Sequence, residues 1–314
     1  MGMNIQETIA SPLVWHPQTA AEAWQLKQTY DIEAVYTSGG TLLRTQWESG
    51  ISAMPQHLID LSAIRGLNEL RVGEAGLVVG GQTSLQSCRS NALLSRHFPM
   101  VTEAIRTIAA PSVRQLATIG GNVASSIGDS IAALLGYDAE VIWFDGTREH
   151  RALLSEWLHE ASAAKRGNER LLLSVLLPFE ESLGETPVSN GAEDLTSQMK
   201  RFGAYHKVGR REAFTPSVVT ACINGVLTCS NVIKQIRIAL GGGQTVPVRL
   251  EGLEKEISGA DVDGQLLRHV YDRTIELFEP REDLFASAAY RKSTAANLIV
   301  SELWKAAKDN TKQL

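Results

Sequence analysis

The apolar positions of this chain change period several times, and each change marks an element. Thr19-Ala20-Ala21-Glu22 has the form of a capping box, and it opens a short helix through Ala23, Trp24 and Leu26. A strand near Ala34–Tyr36 and a second at His57–Leu61 complete a β-α-β start. A turn-rich hairpin zone follows, in which Leu77-Val78-Val79 enters Gly80-Gly81-Gln82-Thr83. From Thr83 the period becomes helical. Leu85, Cys88, Ala92 and Leu93 are expected on one face, and Val101, Ala104, Ile105 and Ile108 on another. Asp129-Ser130 is a candidate N-cap for a helix over Ile131–Leu135, and Asp145-Gly146 reads as the hairpin turn after a Val141–Phe144 strand.

The continuous apolar run Leu171–Leu177 is a core strand stopped by Pro178. Glu180 to Ser197 is polar, carries Gly184, Pro187 and Gly191, and reads as a linker or exposed loop. Two strands, Ser217–Leu227 and Val232–Leu240, are joined by Thr228-Cys229-Ser230-Asn231. The end is helical over Leu266–Leu277 and Phe285–Ala307, with Tyr290, Leu298, Leu303 and Trp304 as expected apolar anchors. The pattern predicts an α+β chain: a first domain over 1–180 (subdomains about 1–62 and 63–180), a linker over 181–197, and a C-terminal α+β domain over 198–314.

Composition narrows the function classes without choosing one. Across 314 residues, 44% are hydrophobic and 21% charged, as in ordinary soluble globular proteins. A net charge of −5 gives no electrostatic reason to expect nucleic acid or an anionic membrane. No apolar run is long enough to span a bilayer and no signal peptide is visible, so a cytoplasmic protein is expected. The three cysteines, Cys88, Cys222 and Cys229, include no C-x-x-C pair, so the chain lacks the usual ligands of an iron–sulfur cluster or structural zinc. Seven histidines show no metal-ligand spacing, and no metal site is expected.

The candidate chemistry lies in two glycine pairs about eighty residues apart. Val35-Tyr36-Thr37-Ser38-Gly39-Gly40-Thr41-Leu42 and Thr118-Ile119-Gly120-Gly121-Asn122 each have the makings of an anion cradle. Paired glycines admit positive φ and close approach of backbone to ligand. Their successive N–H groups are expected to converge on phosphate oxygens, with Thr41, Thr118 and Asn122 adding side-chain donors. Two such loops suit the two halves of a diphosphate. The chain has neither a G-x-G-x-x-G fingerprint nor a P-loop, so a dinucleotide held here is held without a Rossmann motif.

These loops carry a family resemblance. Ile108 to Asn122, followed by Ser126-x-x-Asp129, resembles the second flavin loop of the molybdenum hydroxylase flavoproteins. Those are the FAD-binding subunits or domains of xanthine, carbon monoxide and related dehydrogenases. Ser38-Gly39-Gly40-Thr41 is similar to their first loop and Gly80–Leu85 to their strand-to-helix junction. Lys207-x-x-Arg210-Arg211-Glu212 resembles a segment of the xanthine dehydrogenases, and Tyr290-Arg291-Lys292 fits as well. The resemblance spans essentially the whole chain. It implies a vanillyl-alcohol-oxidase-type FAD-binding domain of two α/β subdomains, followed by a C-terminal domain of the CO dehydrogenase flavoprotein type.

The function implied is electron transfer from iron–sulfur clusters through FAD to NAD, most like xanthine dehydrogenase. The implied partners are a small [2Fe-2S] subunit and a large molybdopterin subunit, assembled as a dimer of heterotrimers. Residue by residue, Val35–Leu42 and Thr118–Asn122 are expected to wrap the FAD pyrophosphate. Asp129 is expected to order the adenosine side, for which a plain helix N-cap is the alternative. Leu172 is expected to touch flavin or adenine, with an ordinary core leucine as its alternative. Lys207 is expected at the isoalloxazine edge, where a cation stabilises reduced flavin, unless it is a solvated strand lysine. Arg210 and Arg211 are candidates for steering the nicotinamide dinucleotide or fixing a charge cluster by the flavin, with surface salt bridging as the alternative, and Arg114 for bracing the second loop through its fork of donors.

No residue is assigned as a general acid or base. The chain departs from the family pattern at Ile127 and at Phe214–Ser217, where Pro216 removes a backbone donor. Those departures bear on NAD specificity more than on FAD. A CO, nicotinate or aldehyde dehydrogenase flavoprotein is the near alternative. A self-sufficient flavin oxidoreductase and a scaffold without flavin are the alternatives of other classes.

Overall fold

The computed structural model describes residues 11–163, 170–179, 199–211 and 215–311. The expected linker falls outside the described residues, as do Glu212 and Phe214. Three sheets organise the described residues, with three apolar clusters that cross between them.

The first sheet is parallel, with strand order β1 (Leu13–Trp15), β3 (His57–Asp60), β2 (Ala34–Thr37). Helix α1 (Ala20–Tyr30) supplies the crossover into β2, and α2 (Thr41–Glu48) the next one. Thr19 caps α1 by accepting the Glu22 N–H at 3.1 Å, while the Glu22 carboxylate reaches one residue further back than a capping box requires, to the Gln18 N–H at 2.7 Å. Ala23, Ala34 and Ile59 are fully buried in this layer.

The second sheet has five antiparallel strands in the order β4-β5-β8-β6-β7. They are β4 (Leu70–Gly73), β5 (Gly76–Gly80), β6 (Glu140–Phe144), β7 (Glu149–Leu153) and β8 (Leu171–Pro178). Between β5 and β6 lie six short helices: α3 (Leu85–Ser90), α4 (Ala92–His97), α5 (Pro99–Arg106), α6 (Pro111–Leu116), α7 (Ile119–Ala124) and α8 (Ile131–Leu135). Helix α9 (Leu154–Ala163) follows β7.

The expected shared face of Leu85, Cys88, Ala92 and Leu93 is corrected by Asn91. Its Oδ1 accepts the N–H groups of Leu93 and Leu94 and starts a new helix. That restart changes the rotation, so Leu94 is buried and Leu93 is 38% exposed. Val101, Ala104 and Ile105 are buried as expected.

The third sheet is an antiparallel meander, β9 (Met199–Gly209), β10 (Ser217–Thr228), β11 (Ile233–Gly242) and β12 (Thr245–Arg249). Helices α10 (Glu251–Ile257), α11 (Gly264–Leu277) and α12 (Ala288–Thr311) complete this part of the chain. Tyr290 and Trp304 are not anchors of α12, being 52% and 49% exposed. The helix instead buries a narrow stripe of Ala295, Ile299, Leu303 and Ala306, small enough to lie close on the sheet. Arg291 is also buried; it donates to the Val218 carbonyl and pairs with Asp283 at 2.6 Å.

The third sheet is docked on the helices of the second unit. Tyr205, Cys222 and Ala239 belong to the same apolar cluster as Ile105, Leu134 and Val175. Asp138 adds a polar tie, pairing with both Arg237 and Arg249.

Candidate functional site

Strand β2 delivers the chain to Ser38 at the edge between the first and second units. Gly40 stands at φ +63 as the N-cap of α2, a left-handed backbone that glycine adopts without strain. Gly39 is required for a different reason. A Cβ there would lie 1.8 Å from the Leu116 carbonyl oxygen at the end of α6. Among the described residues, no acceptor meets the N–H groups of Gly39, Gly40, Thr41 and Leu42. The first turn of any helix leaves such donors open, and Gly39, Gly40 and Thr41 line an open groove of about 1230 Å³. Its walls are Ser38–Thr41, Arg44 and Trp47 on one side and Val113 and Leu116 on the other.

The second glycine pair is built otherwise than expected. Gly120 and Gly121 are not at positive φ and form the first turn of α7. Their amides are already engaged: Ile119 N–H donates to Thr83 O at 3.0 Å, Gly120 N–H to Gly81 O at 2.9 Å, and Asn122 N–H to Thr118 O at 3.0 Å. Gly121 N–H donates to Thr118 Oγ1 at 3.1 Å. Glycine is needed at 120 because a Cβ would fall 2.5 Å from Gly81 O and 2.8 Å from Gly81 Cα. The second loop is therefore a packed wall, and the first loop carries the open donors.

The two loops touch. Ser38 Oγ lies 2.7 Å from Thr118 Oγ1 and donates to Gln82 Oε1 at 2.8 Å. Gln82 belongs to the Gly80–Leu85 junction, and sequence reasoning had given it no role. Only the fold shows that this junction lies against both loops. Val35 and Tyr36 are half-buried on β2 below the groove, and Thr37 lines it. Burial pushes the Tyr36 phenol well above its ordinary pKa, and its buried hydroxyl has no hydrogen-bond partner. Thr83 Oγ1 is likewise buried without a partner. Leu42 is 42% exposed, whereas Ile119 is core.

Asn122 turns its Oδ1 to the N–H of Ser130 (3.3 Å) and the hydroxyl of Ser130 (2.6 Å), so it clamps the turn that leads to Asp129. Asp129 is not the N-cap of α8; that position is Ser130, and it makes no side-chain cap hydrogen bond. Its carboxylate instead crosses to the third sheet, 2.7 Å from Lys207 Nζ and 2.7 Å from the donating Ser217 hydroxyl. Tyr205 OH donates to the Asp129 carbonyl at 2.9 Å. Lys207 is no solvated strand lysine: its side chain is 2% exposed, and Nζ also donates to Thr107 O at 3.0 Å.

Leu172 lies in the core strand β8, opposite Trp143. The β5–β8 ladder ends at Gly80–Ser174, so Leu172 sits just past it, beside Gly81. Arg114 braces as expected: it is buried, and it donates to the carbonyls of Ile108 (2.7 Å) and Ala109 (2.6 Å). Burial lowers its pKa from the ordinary arginine value. Arg210 stands over the exposed Phe285 ring at 5.8 Å. The residues thus fall into two groups, Ser38–Leu42 with Thr118–Asn122 at the groove, and Asp129 with Lys207 at the junction with the third sheet.

A fold with two glycine loops between α/β units and a docked antiparallel C-terminal sheet defines a class. Residues 6–180 match the FAD-binding domain of molybdopterin dehydrogenases, and residues 203–306 match the CO dehydrogenase flavoprotein C-terminal domain. The chain belongs to this family of FAD-binding flavoproteins.

Its relatives include the carbon monoxide dehydrogenase medium chain of Hydrogenophaga pseudoflava, 25% identical over 289 residues, covering 90% of this chain and 92% of that one. The xanthine dehydrogenase FAD-binding subunit of Escherichia coli O157:H7 is 23% identical over 261 residues, covering 80% and 82%. In structure, the Hydrogenophaga pseudoflava carbon monoxide dehydrogenase matches with a TM-score of 0.81 at 21% identity, over 95% of this chain and 98% of that one. Quinoline 2-oxidoreductase from Pseudomonas putida 86 matches at 0.78 and 17% identity, over 96% and 98%. The chain is an oxidoreductase subunit of the molybdenum hydroxylase family. Identity does not separate the carbon monoxide from the xanthine relatives. Among the described residues, no helix is long and apolar enough to cross a membrane, and no cluster of metal-ligating side chains occurs.

Proposed function

We propose that this chain holds FAD between its two glycine loops and passes electrons from a small [2Fe-2S] partner to NAD. A large molybdopterin partner would oxidise the organic substrate, most like the purine substrate of a xanthine dehydrogenase. The residues present fit the cofactor. A diphosphate needs donors whose hydrogens point at it, and fixed backbone dipoles serve because they need no reorganisation. The open N–H groups of Gly39–Leu42, on a loop whose Gly39, Gly40 and Thr41 line a groove and whose Gly40 has no Cβ, are the observation that carries the reading.

Bound FAD supplies a carrier that exchanges single electrons with clusters and a hydride with a nicotinamide. The chain's own residues bind and orient it. Loop amides and the Thr41 hydroxyl meet the diphosphate, while Thr118–Asn122 form the opposing wall. Leu172, just past the end of the β5 ladder, is assigned to an adenine or flavin edge. Lys207 is assigned to the isoalloxazine edge, and Asp129, paired with it at 2.7 Å, to that same edge and not to the adenosine side expected of it from the sequence, since one contact pair does not serve both ends of the cofactor. The Lys207-x-x-Arg210-Arg211 segment supports the xanthine-type acceptor side, and the carbon monoxide relatives support the near alternative.

The test is a visible spectrum of the purified chain titrated with FAD and then, anaerobically, with NADH. Bound FAD bleached by NADH is expected. FAD bound but untouched by NADH removes NAD as acceptor, and a chain that takes up no FAD overturns the reading. Co-purification from native cells is expected to bring down an iron–sulfur chain and a molybdopterin chain; a lone chain oxidising an organic substrate would instead establish the self-sufficient enzyme.

A further inference from the structure

The contact between the two loops has a direction. A serine hydroxyl has one hydrogen. Gln82 presents its carbonyl oxygen, an acceptor only, 2.8 Å from Ser38 Oγ, and takes that hydrogen. Ser38 Oγ then faces Thr118 Oγ1, 2.7 Å away, as an acceptor, so the Thr118 hydrogen points to Ser38. Thr118 Oγ1 in turn accepts the Gly121 N–H at 3.1 Å. The result is one polarised chain, Gly121 N–H to Thr118 to Ser38 to Gln82, in which each bond strengthens the next. It joins residues eighty positions apart and ends on a side chain that belongs to neither loop.

Two consequences follow. The hydroxyls of Ser38 and Thr118 have no hydrogen left for an anion, so the diphosphate is met by loop-one amides and Thr41. In addition, the separation of the two loops depends on an acceptor at position 82. We propose that Gln82 is a positioning residue of the cofactor cradle, holding the first loop at a fixed distance from the second through Ser38 and Thr118. The proposal rests on the FAD reading above. Gln82 also anchors its own backbone, N–H to Leu67 O at 2.6 Å, so the acceptor is fixed to the scaffold and not to a loose side chain alone. The same junction packs Gly81 against Gly120, which makes it the common base of both loops.

The test uses the full chain as wild type, Gln82→Leu, Ser38→Ala and the double variant, with FAD affinity read by quenching of flavin fluorescence. Thermal unfolding of the FAD-free chain is the second readout. Each single variant is expected to weaken FAD about tenfold. The double variant is expected to lose no more than either single one, because both cut the same chain. The FAD-free Tm is expected to stay within roughly 2 °C of wild type, since half-buried polar substitutions of this kind cost little. Unchanged or tighter FAD binding in Gln82→Leu overturns the proposal. So do losses that multiply in the double variant, or a Tm that falls in step with affinity. Failure of the wild type to bind FAD is a separate result, which removes the FAD reading and this inference together.

Discussion

Gly120 and Gly121 are adjacent and chemically identical, yet the structure assigns them opposite sensitivities to a methyl group. An alanine Cβ at 120 would meet Gly81 O at 2.5 Å and Gly81 Cα at 2.8 Å, well inside the 3.4 Å at which ordinary contact begins. Both atoms are backbone, fixed between β5 and α3, so neither can rotate away. Relief requires α7 to move off the junction, which stretches the Gly120 N–H bond to Gly81 O and displaces Thr118 from Ser38. Overpacking of this kind costs about 1–3 kcal/mol. At ~2–4 °C per kcal/mol for chains of this order, Tm falls by several degrees.

At 121 the nearest atom is Thr118 Oγ1 at 3.2 Å, the end of a side chain, and the backbone is helical. Alanine gains up to about 1 kcal/mol of helix propensity there, set against a slight crowding of that hydroxyl. Gly121→Ala is therefore expected within about 0.5 kcal/mol of wild type. Differential scanning calorimetry of both variants, followed by FAD titration, checks the contrast. Gly120→Ala is expected to lose stability and at least tenfold in FAD affinity, while Gly121→Ala keeps both. Equal effects at the two positions would refute the description of the second loop as a packed wall, and would restore a cradle in which both glycines face the ligand.

Breaking the Asp129–Lys207 pair from either side leaves a charge buried without its partner, at about 3–5 kcal/mol. Lys207→Met is then expected to lower the flavin midpoint potential, since Asp129 stays uncompensated, and Asp129→Asn to raise it. Spectroelectrochemistry showing shifts of the same sign would place the pair away from the flavin. Burial pushes the Cys88 and Cys222 thiols up from 9.0 to about 12. Iodoacetamide at pH 8 is accordingly expected to modify at most Cys229 in the folded chain and all three cysteines in urea, as counted by mass spectrometry. The same shift means the folded chain keeps protons that the unfolded chain releases, so this contribution is whole below pH 9 and is lost as pH rises toward 12. A denaturation midpoint flat from pH 8 to 11 would contradict it.

Local chemistry was legible along the chain wherever one residue decides it. Leu171–Pro178 reads as a core strand because both faces are buried, which removes any alternation. Ser38–Thr41 reads as a glycine turn into a helix because a left-handed residue is needed between strand and helix, and Gly40 supplies it. Sequence patterns failed where a distant partner decides. Gly120 and Gly121 look like a second copy of Gly39 and Gly40. Nothing in their neighbours reveals that Gly81 will press against the first of them. Asp129 looks like a cap because Ser130 and an apolar run follow it, and its real partners are 76 to 88 residues away on another sheet. A window cannot hold such a pairing; it exists only once the meander docks.

That docking gives a continuous path from the second loop to the C-terminal sheet. Thr118 begins the second loop, and Asn122, one helical turn later, fixes Ser130 through Oδ1. Between them Gly128 packs directly on Asn122, where a Cβ would fall 2.2 Å from its Oδ1. Asp129, held in that turn, is gripped by Tyr205, Lys207 and Ser217, each from β9 or the start of β10. Each link is short and polar, and Lys207 is almost wholly excluded from solvent. A displacement of the second loop therefore cannot be absorbed by slack in the turn. It must either break a buried charge pair or carry the edge of the C-terminal sheet with it. The first alternative costs several kcal/mol; the second disturbs the apolar cluster that Tyr205, Cys222 and Ala239 share with the second unit and the pairs of Asp138 with Arg237 and Arg249, so either way the second loop is held in place.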